Sequence, residues 1–172
     1  MRKWLLPFLA IICFIFESVF VQILPSEFFG VERIMVPRFV MVMIVIITMF
    51  TRVSTGMTYG FVLGLLYDLM YTNLIGVYTF SFTLLAYIVA SIMRVLHINT
   101  LTVTIVSLFT ISILDFFVYG IQLLIKATSI PVEYFLTIRL LPTLILNLAF
   151  VILFFIPLRK HFFLILDTNK DE

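Results

Sequence analysis

The chain has 172 residues, 63% of them hydrophobic and only 12% charged, with a mean hydropathy of +1.25. A soluble domain carries about 25% charged residues, so a water-facing surface cannot be assembled from this composition. A net charge of +2, scattered along the chain, offers no footprint for nucleic acid, and the single cysteine, Cys13, excludes an intrachain disulfide.

The composition therefore indicates an all-α integral membrane protein forming one polytopic domain over residues 1–172. A helix needs about 20 residues to cross a hydrocarbon core roughly 30 Å thick, and lipid offers an unpaired backbone no partner. Six segments are predicted to do so. The first, Trp4–Leu24, follows two basic residues and resembles a secretory signal, but it has no small-x-small cleavage site and runs on too far. It reads as an uncleaved first membrane helix, and it carries Glu17. Pro25, Ser26, Gly30 and Glu32 then mark a loop.

The second segment, Ile34–Thr51, has Arg38 in its first turn and is divided from the third, Val53–Thr72, by Arg52 and its neighbours alone. The third carries Gly56, Gly60, Gly64 and Asp68 at intervals of four. The fourth is Val77–Met93; the fifth, Leu101–Ile125, contains Asp115. After a loop at Ile130-Pro131-Val132-Glu133, the sixth, Ile138–Leu158, contains Arg139, Pro142 and Asn147. The closing "LDTNKDE" reads as an unstructured charged tail.

Basic residues orient the bundle. With the N-terminus inside, Arg2, Lys3, Arg52, Arg94, Arg159, Lys160 and Lys170 face the cytoplasm, against Arg33, Arg38, Lys126 and Arg139 outside. Both termini are expected in the cytoplasm.

Glu17, Asp68 and Asp115 are the costly residues. Each ionised group at mid-bilayer costs about 2.5–3.5 kcal/mol on insertion scales, so all three must find partners, protons or water. In the expected orientation they share the outer half of the membrane with Arg38 and Arg139. The expectation is a polar network in which the two arginines neutralise the acids through forked pairing; the alternative is that the arginines snorkel to headgroups. Pro142 frees a carbonyl that needs a partner, and Asn147 suits an interhelical hydrogen bond. Gly56, Gly60 and Gly64 form one slanting stripe that lets a backbone approach, either within the bundle or from a partner's helix.

Four stretches, "RKWLLPFLAIICFIFES", "VPRF", "GFVLGLLYDL" and "RLLPTLILN", resemble MreD, the bacterial rod shape-determining membrane family. The resemblance covers nearly the whole chain and implies a non-enzymatic scaffold subunit of the cell-elongation machinery in the cytoplasmic membrane. It implies binding to MreC, in a larger complex with RodA, a class B penicillin-binding transpeptidase and MreB, organising lateral peptidoglycan synthesis and rod shape. Gly60 and Gly64 would form a lipid-facing groove for the membrane helix of MreC, with Asp68 as a polar contact.

The implied fold resembles the substrate-binding subunits of energy-coupling-factor vitamin transporters, which makes a solute-binding subunit the alternative function. Those subunits carry an alanine-xxx-alanine pattern in helix one; here Ala10 is followed four residues later by Phe14. Catalysis is not expected, because no nucleophile–base pair or metal constellation accompanies the acids, and His97 and His161 stand alone. No cofactor is implied.

Overall fold

The structure, a computed structural model, describes residues 5–23, 27–28, 31–32, 34–72 and 74–170, with side chains over 6–23, 34–72 and 74–157. Arg2, Lys3, Trp4, Leu24, Pro25, Ser26, Gly30 and Arg33 of the expected organisation lie outside these residues, as do the side chains of Arg159, Lys160 and Lys170.

Among the described residues the chain is helical: α1 (Leu5–Ile23), α2 (Phe39–Phe50), α3 (Val53–Tyr71), α4 (Val77–Ile92), α5 (Thr100–Leu124), a short α6 (Val132–Tyr134), a π-helical segment Phe135–Leu140, and α7 (Leu141–Lys170). Glu27–Phe28 and Val31–Glu32 form a two-residue antiparallel ladder, β1 and β2, where a loop is expected. Among the described residues, three helical stretches are long and apolar enough to cross a membrane: Leu6–Ile23, Thr100–Leu124 and Val132–Pro157. Phe39–Phe50 and Val77–Ile92 are shorter apolar helices.

The second predicted helix differs most. Its first five residues are not helical, and helix begins only at Phe39. Pro37 explains this, because its ring drives Val36 out of the helical region and it has no N–H to give. α2 thus holds twelve of the eighteen residues expected to be helical.

Every residue of α2 is buried, and α1, α3, α4, α5 and α7 all pack against it. Such a helix needs no polar face, which is why "FVMVMIVIITMF" is apolar on every side. Helices α1, α3, α4, α5 and α7 each send one side to the core and expose large apolar residues on the other, among them Phe8, Phe61, Phe80, Phe109 and Leu153. Outward-facing Phe and Leu suit lipid.

Thr51 and Arg52 alone join α2 to α3, in accord with a tight turn. α3 and α4 then form the closest helix pair. A Cβ on Gly60 would stand 2.8 Å from the Phe82 carbonyl oxygen, and one on Gly64 2.7 Å from the Tyr78 oxygen. Gly56 meets Thr48 of α2. The three glycines are buried inside the bundle, so the stripe is filled by this chain's own α2 and α4. The expected lipid-facing groove at Gly60 and Gly64 is corrected by this packing.

At the C-terminal end two expectations change. Val132 and Glu133 lie in helix, not loop. α7 passes through Pro157 and continues to Lys170, so most of the expected tail is helical.

Candidate functional site

The three intramembrane acids sit at the end of the bundle where α1, α3 and α5 finish and α2, α4 and α7 begin. Each is matched differently. Asp115 of α5 receives Arg38 through a single oxygen: Oδ1 accepts from Nη2 at 2.7 Å and from Nε at 3.1 Å. Both residues are buried, at 1% and 2% exposure. The pairing is not the two-oxygen fork expected, since Asp115 Oδ2 has no partner among the described residues.

Arg38 Nη1 donates to the hydroxyls of Tyr67 and Tyr78, each at 3.3 Å, and its guanidinium lies 5.4 Å from the Tyr78 ring centroid. Tyr67 in turn donates to Glu17 Oε1 at 2.8 Å. A bonded chain thus runs Asp115–Arg38–Tyr67–Glu17 across α5, the start of α2, α3 and α1.

Glu17 is also a helix cap. Its Oε2 accepts the Val40 N–H at 2.8 Å, one of the first amides of α2, which have no partner within their own helix. An anion there also meets the positive end of the helix dipole.

Asp68 uses the same physics at α4 and, among the described residues, pairs with no arginine, contrary to expectation. Oδ1 accepts the Tyr78 N–H at 2.9 Å. Oδ2 accepts the N–H groups of Gly76 and Thr79 at 2.9 Å each and the Thr79 hydroxyl at 2.6 Å. Gly76, at φ 108, turns the chain so that these amides converge on the carboxylate. One carboxylate therefore closes the α3–α4 hairpin through backbone amides and a hydroxyl.

Asn147 holds the non-helical segment 34–38. Its Oδ1 accepts the Arg38 N–H at 2.9 Å, and its Nδ2 donates to Val36 O at 3.1 Å. Thr143 Oγ1 accepts the Val36 N–H at 3.1 Å, and Ile138 O accepts the Ile34 N–H at 2.9 Å. The segment is unwound yet supplied with partners, the condition for irregular backbone at membrane depth. It also fixes the backbone from which Arg38 reaches Asp115.

Arg139 stands apart from the network. Its guanidinium lies 6.0 Å from the Phe135 ring centroid, and its buried Nε has no hydrogen-bond partner among the described residues. Of the residues singled out in the sequence, Glu17, Arg38, Asp115 and Asn147 come together directly. Asp68 adjoins them through Tyr67 and Tyr78, while Arg139 and the glycines do not join. Tyr67, Tyr78, Thr79 and Thr143 carry bonds that the sequence reading missed. Thr143, one helical turn before Asn147, and Tyr67, beside Asp68, were the available signals.

All members of the network are closed off: Glu17 is 2% exposed, Asp68 and Asn147 0%, Tyr67 and Tyr78 7%. Its carboxylates are held by helix amides, an arginine and hydroxyls, an arrangement that fixes helices relative to one another.

The stretches behind this geometry are those of a known family. The family model described as rod shape-determining protein MreD matches residues 2–165. The chain belongs to the MreD family. Rod shape-determining protein MreD of Bacillus subtilis (strain 168) is 34% identical over 172 residues, covering 100% of both chains. No solved structure matches the chain. In this MreD-family member "GFVLGLLYDL" now has a physical reading: Gly60 and Gly64 admit α4, Tyr67 bridges Arg38 and Glu17, and Asp68 caps α4. "VPRF" and "RLLPTLILN" are the two sides of one contact, joined by Thr143 and Asn147. The chain is a helical membrane protein of a shape-determining family.

Proposed function

We propose that this MreD-family chain is a non-enzymatic subunit of the cell-elongation complex in the bacterial cytoplasmic membrane. It crosses the bilayer six times, with both termini in the cytoplasm, binds MreC, and helps organise lateral peptidoglycan synthesis with RodA, a class B penicillin-binding transpeptidase and MreB. The observation that carries this reading is the family match along the full chain.

The geometry is consistent with it. Acids and arginine are engaged in bonds that lock helices together, which supports a rigid binding platform over a reacting centre. The glycine stripe is occupied internally, so the contact with MreC falls on the exposed apolar faces. The six-helix bundle also keeps the comparison with energy-coupling-factor subunits as a proposal about fold. The solute-binding alternative would need the closed network to open into a pocket.

The test is complementation. In rod-shaped cells depleted of their own MreD, the wild-type chain should restore rod shape and co-purify with MreC. Restored shape without recovered MreC would overturn the partner assignment; failure of both, with the chain present in the membrane, would overturn the role.

A further inference from the structure

The bonded chain Asp115–Arg38–Tyr67–Glu17 contains two carboxyl groups and a single guanidinium. Its charged members are sealed from the surface, with Glu17 and Arg38 each 2% exposed and Asp115 1%. With both acids ionised, the cluster would carry one negative charge in excess. Such an excess is costly in a bundle surrounded by lipid, where a charge must be matched or neutralised.

The groups around the cluster do not supply the missing charge. α1 brings Cys13 one turn before Glu17, and Tyr71 of α3 meets Ser18 beside it. α3 adds Asp68, a further acid, whose oxygens take the α4 amides and the Thr79 hydroxyl. α4 brings Tyr78, α5 brings Tyr119 one turn beyond Asp115, and α7 brings the neutral Thr143 and Asn147. Arg139 makes no ion pair among the described residues. The N-terminus of α2 offers Glu17 about half a positive charge, which offsets part of the excess and not all of it.

A proton can complete the balance, and the hydrogen bonds leave room for one. Glu17 Oε1 and Oε2 face the Tyr67 hydroxyl and the Val40 N–H, and Asp115 Oδ1 accepts twice from Arg38. Asp115 Oδ2 is buried without a partner among the described residues. An oxygen that no donor approaches can become an O–H without turning a donor away. The two acids are coupled through Arg38 and Tyr67, so the proton is a property of the pair.

We propose that Glu17 and Asp115 together hold one proton, which balances the buried cluster and whose loss destabilises the bundle as pH rises. With the proton bound, one carboxylate matches Arg38. Its release leaves the excess charge among α1, α3 and α5, helices that the cluster ties together. The unfolded chain gives up the same proton near the ordinary carboxylate range, about pH 4. The folded cluster retains it where the unfolded chain has lost it, so this contribution to stability falls as pH rises. The device belongs to the bundle itself and is independent of MreC binding.

The experiment follows unfolding in detergent from about pH 5 to about pH 8 for wild type, Glu17→Gln and Asp115→Asn. The unfolding equilibrium constant of wild type should increase by up to about tenfold per pH unit, the slope of one proton. Each variant leaves Arg38 with one carboxylate and keeps an acceptor oxygen at the changed position, so each should lose that slope. Glu133→Gln, at an exposed acid of α6, should keep it. A second measurement needs only the wild-type chain. Its infrared spectrum at about pH 6 should contain the C=O band of a protonated carboxyl group, shifted by isotope labelling of aspartate or glutamate and lost on raising the pH. The proposal is overturned if wild type shows no slope, if either buried variant keeps it, if Glu133→Gln loses it, or if no protonated band appears.

Discussion

The carbonyl oxygen of Ile138 accepts the backbone N–H of Ile34 at 2.9 Å. Ile138 lies four residues before Pro142, whose missing N–H would otherwise have bonded that oxygen in an α-helix. The gap left by one proline is filled by a segment that another proline, Pro37, keeps out of the helix. Phe135–Leu140 winds as π-helix beside this contact, as such segments often do at functional positions.

Asn147→Leu should unfasten that segment. It removes the acceptor for Arg38 N–H and the donor for Val36 O, leaving two backbone groups unpaired in an apolar interior. The expected loss is about 2–6 kcal/mol, at roughly 1–3 kcal/mol for each of the two groups left without a partner. Thermal unfolding in detergent measures it. A midpoint equal to wild type would show that the segment does not depend on Asn147.

Arg38→Met should cost about 3–5 kcal/mol because it strands the Asp115 carboxylate in the core. Arg38→Met combined with Asp115→Leu should regain most of that loss, since an apolar pair of similar bulk leaves no buried charge. Protein level in the membrane and the unfolding midpoint are the readouts. A double variant as unstable as Arg38→Met would mean that the bonds of Arg38 to Tyr67 and Tyr78, and not its charge pairing, dominate.

Asp68→Asn should weaken the α3–α4 hairpin by roughly 1–2 kcal/mol, because the amide keeps one acceptor oxygen but loses the charge that favours a helix N-terminus. Asp68→Ala should cost more, since Gly76, Tyr78 and Thr79 then lose every side-chain acceptor. Amide hydrogen exchange at residues 76–79 reports the change directly. Equal protection in all three proteins would exclude Asp68 as the cap.

Gly60→Ala and Gly64→Ala should both destabilise the fold, because a methyl group would meet α4 backbone at 2.7–2.8 Å. Gly120→Ala is the contrast: nothing lies within 4 Å of its Cβ position, so it should be neutral or stabilising by up to about 1 kcal/mol. Fractions of folded protein after gentle heating separate the cases. Should Gly64→Ala remain fully folded yet lose MreC, the stripe would be a partner surface after all.

Much of this protein was legible as sequence. A chain with 12% charge and long apolar runs can be stable only among lipids, and lipid allows only self-satisfied backbones, so helical segments follow from composition and length. That Glu17, Asp68 and Asp115 need partners follows from the cost of a charge in oil. What each would find was beyond the sequence. Charge matching suggested arginines, whereas two of the three carboxylates took helix N-termini, whose unpaired amides exist only once α2 and α4 have formed and packed. Spacing placed the glycines on one stripe, but which backbone lies against it depends on how α3 folds back on α4. Periodicity describes a single helix; the identity of its neighbour is a property of the bundle, and only the packed structure decides it.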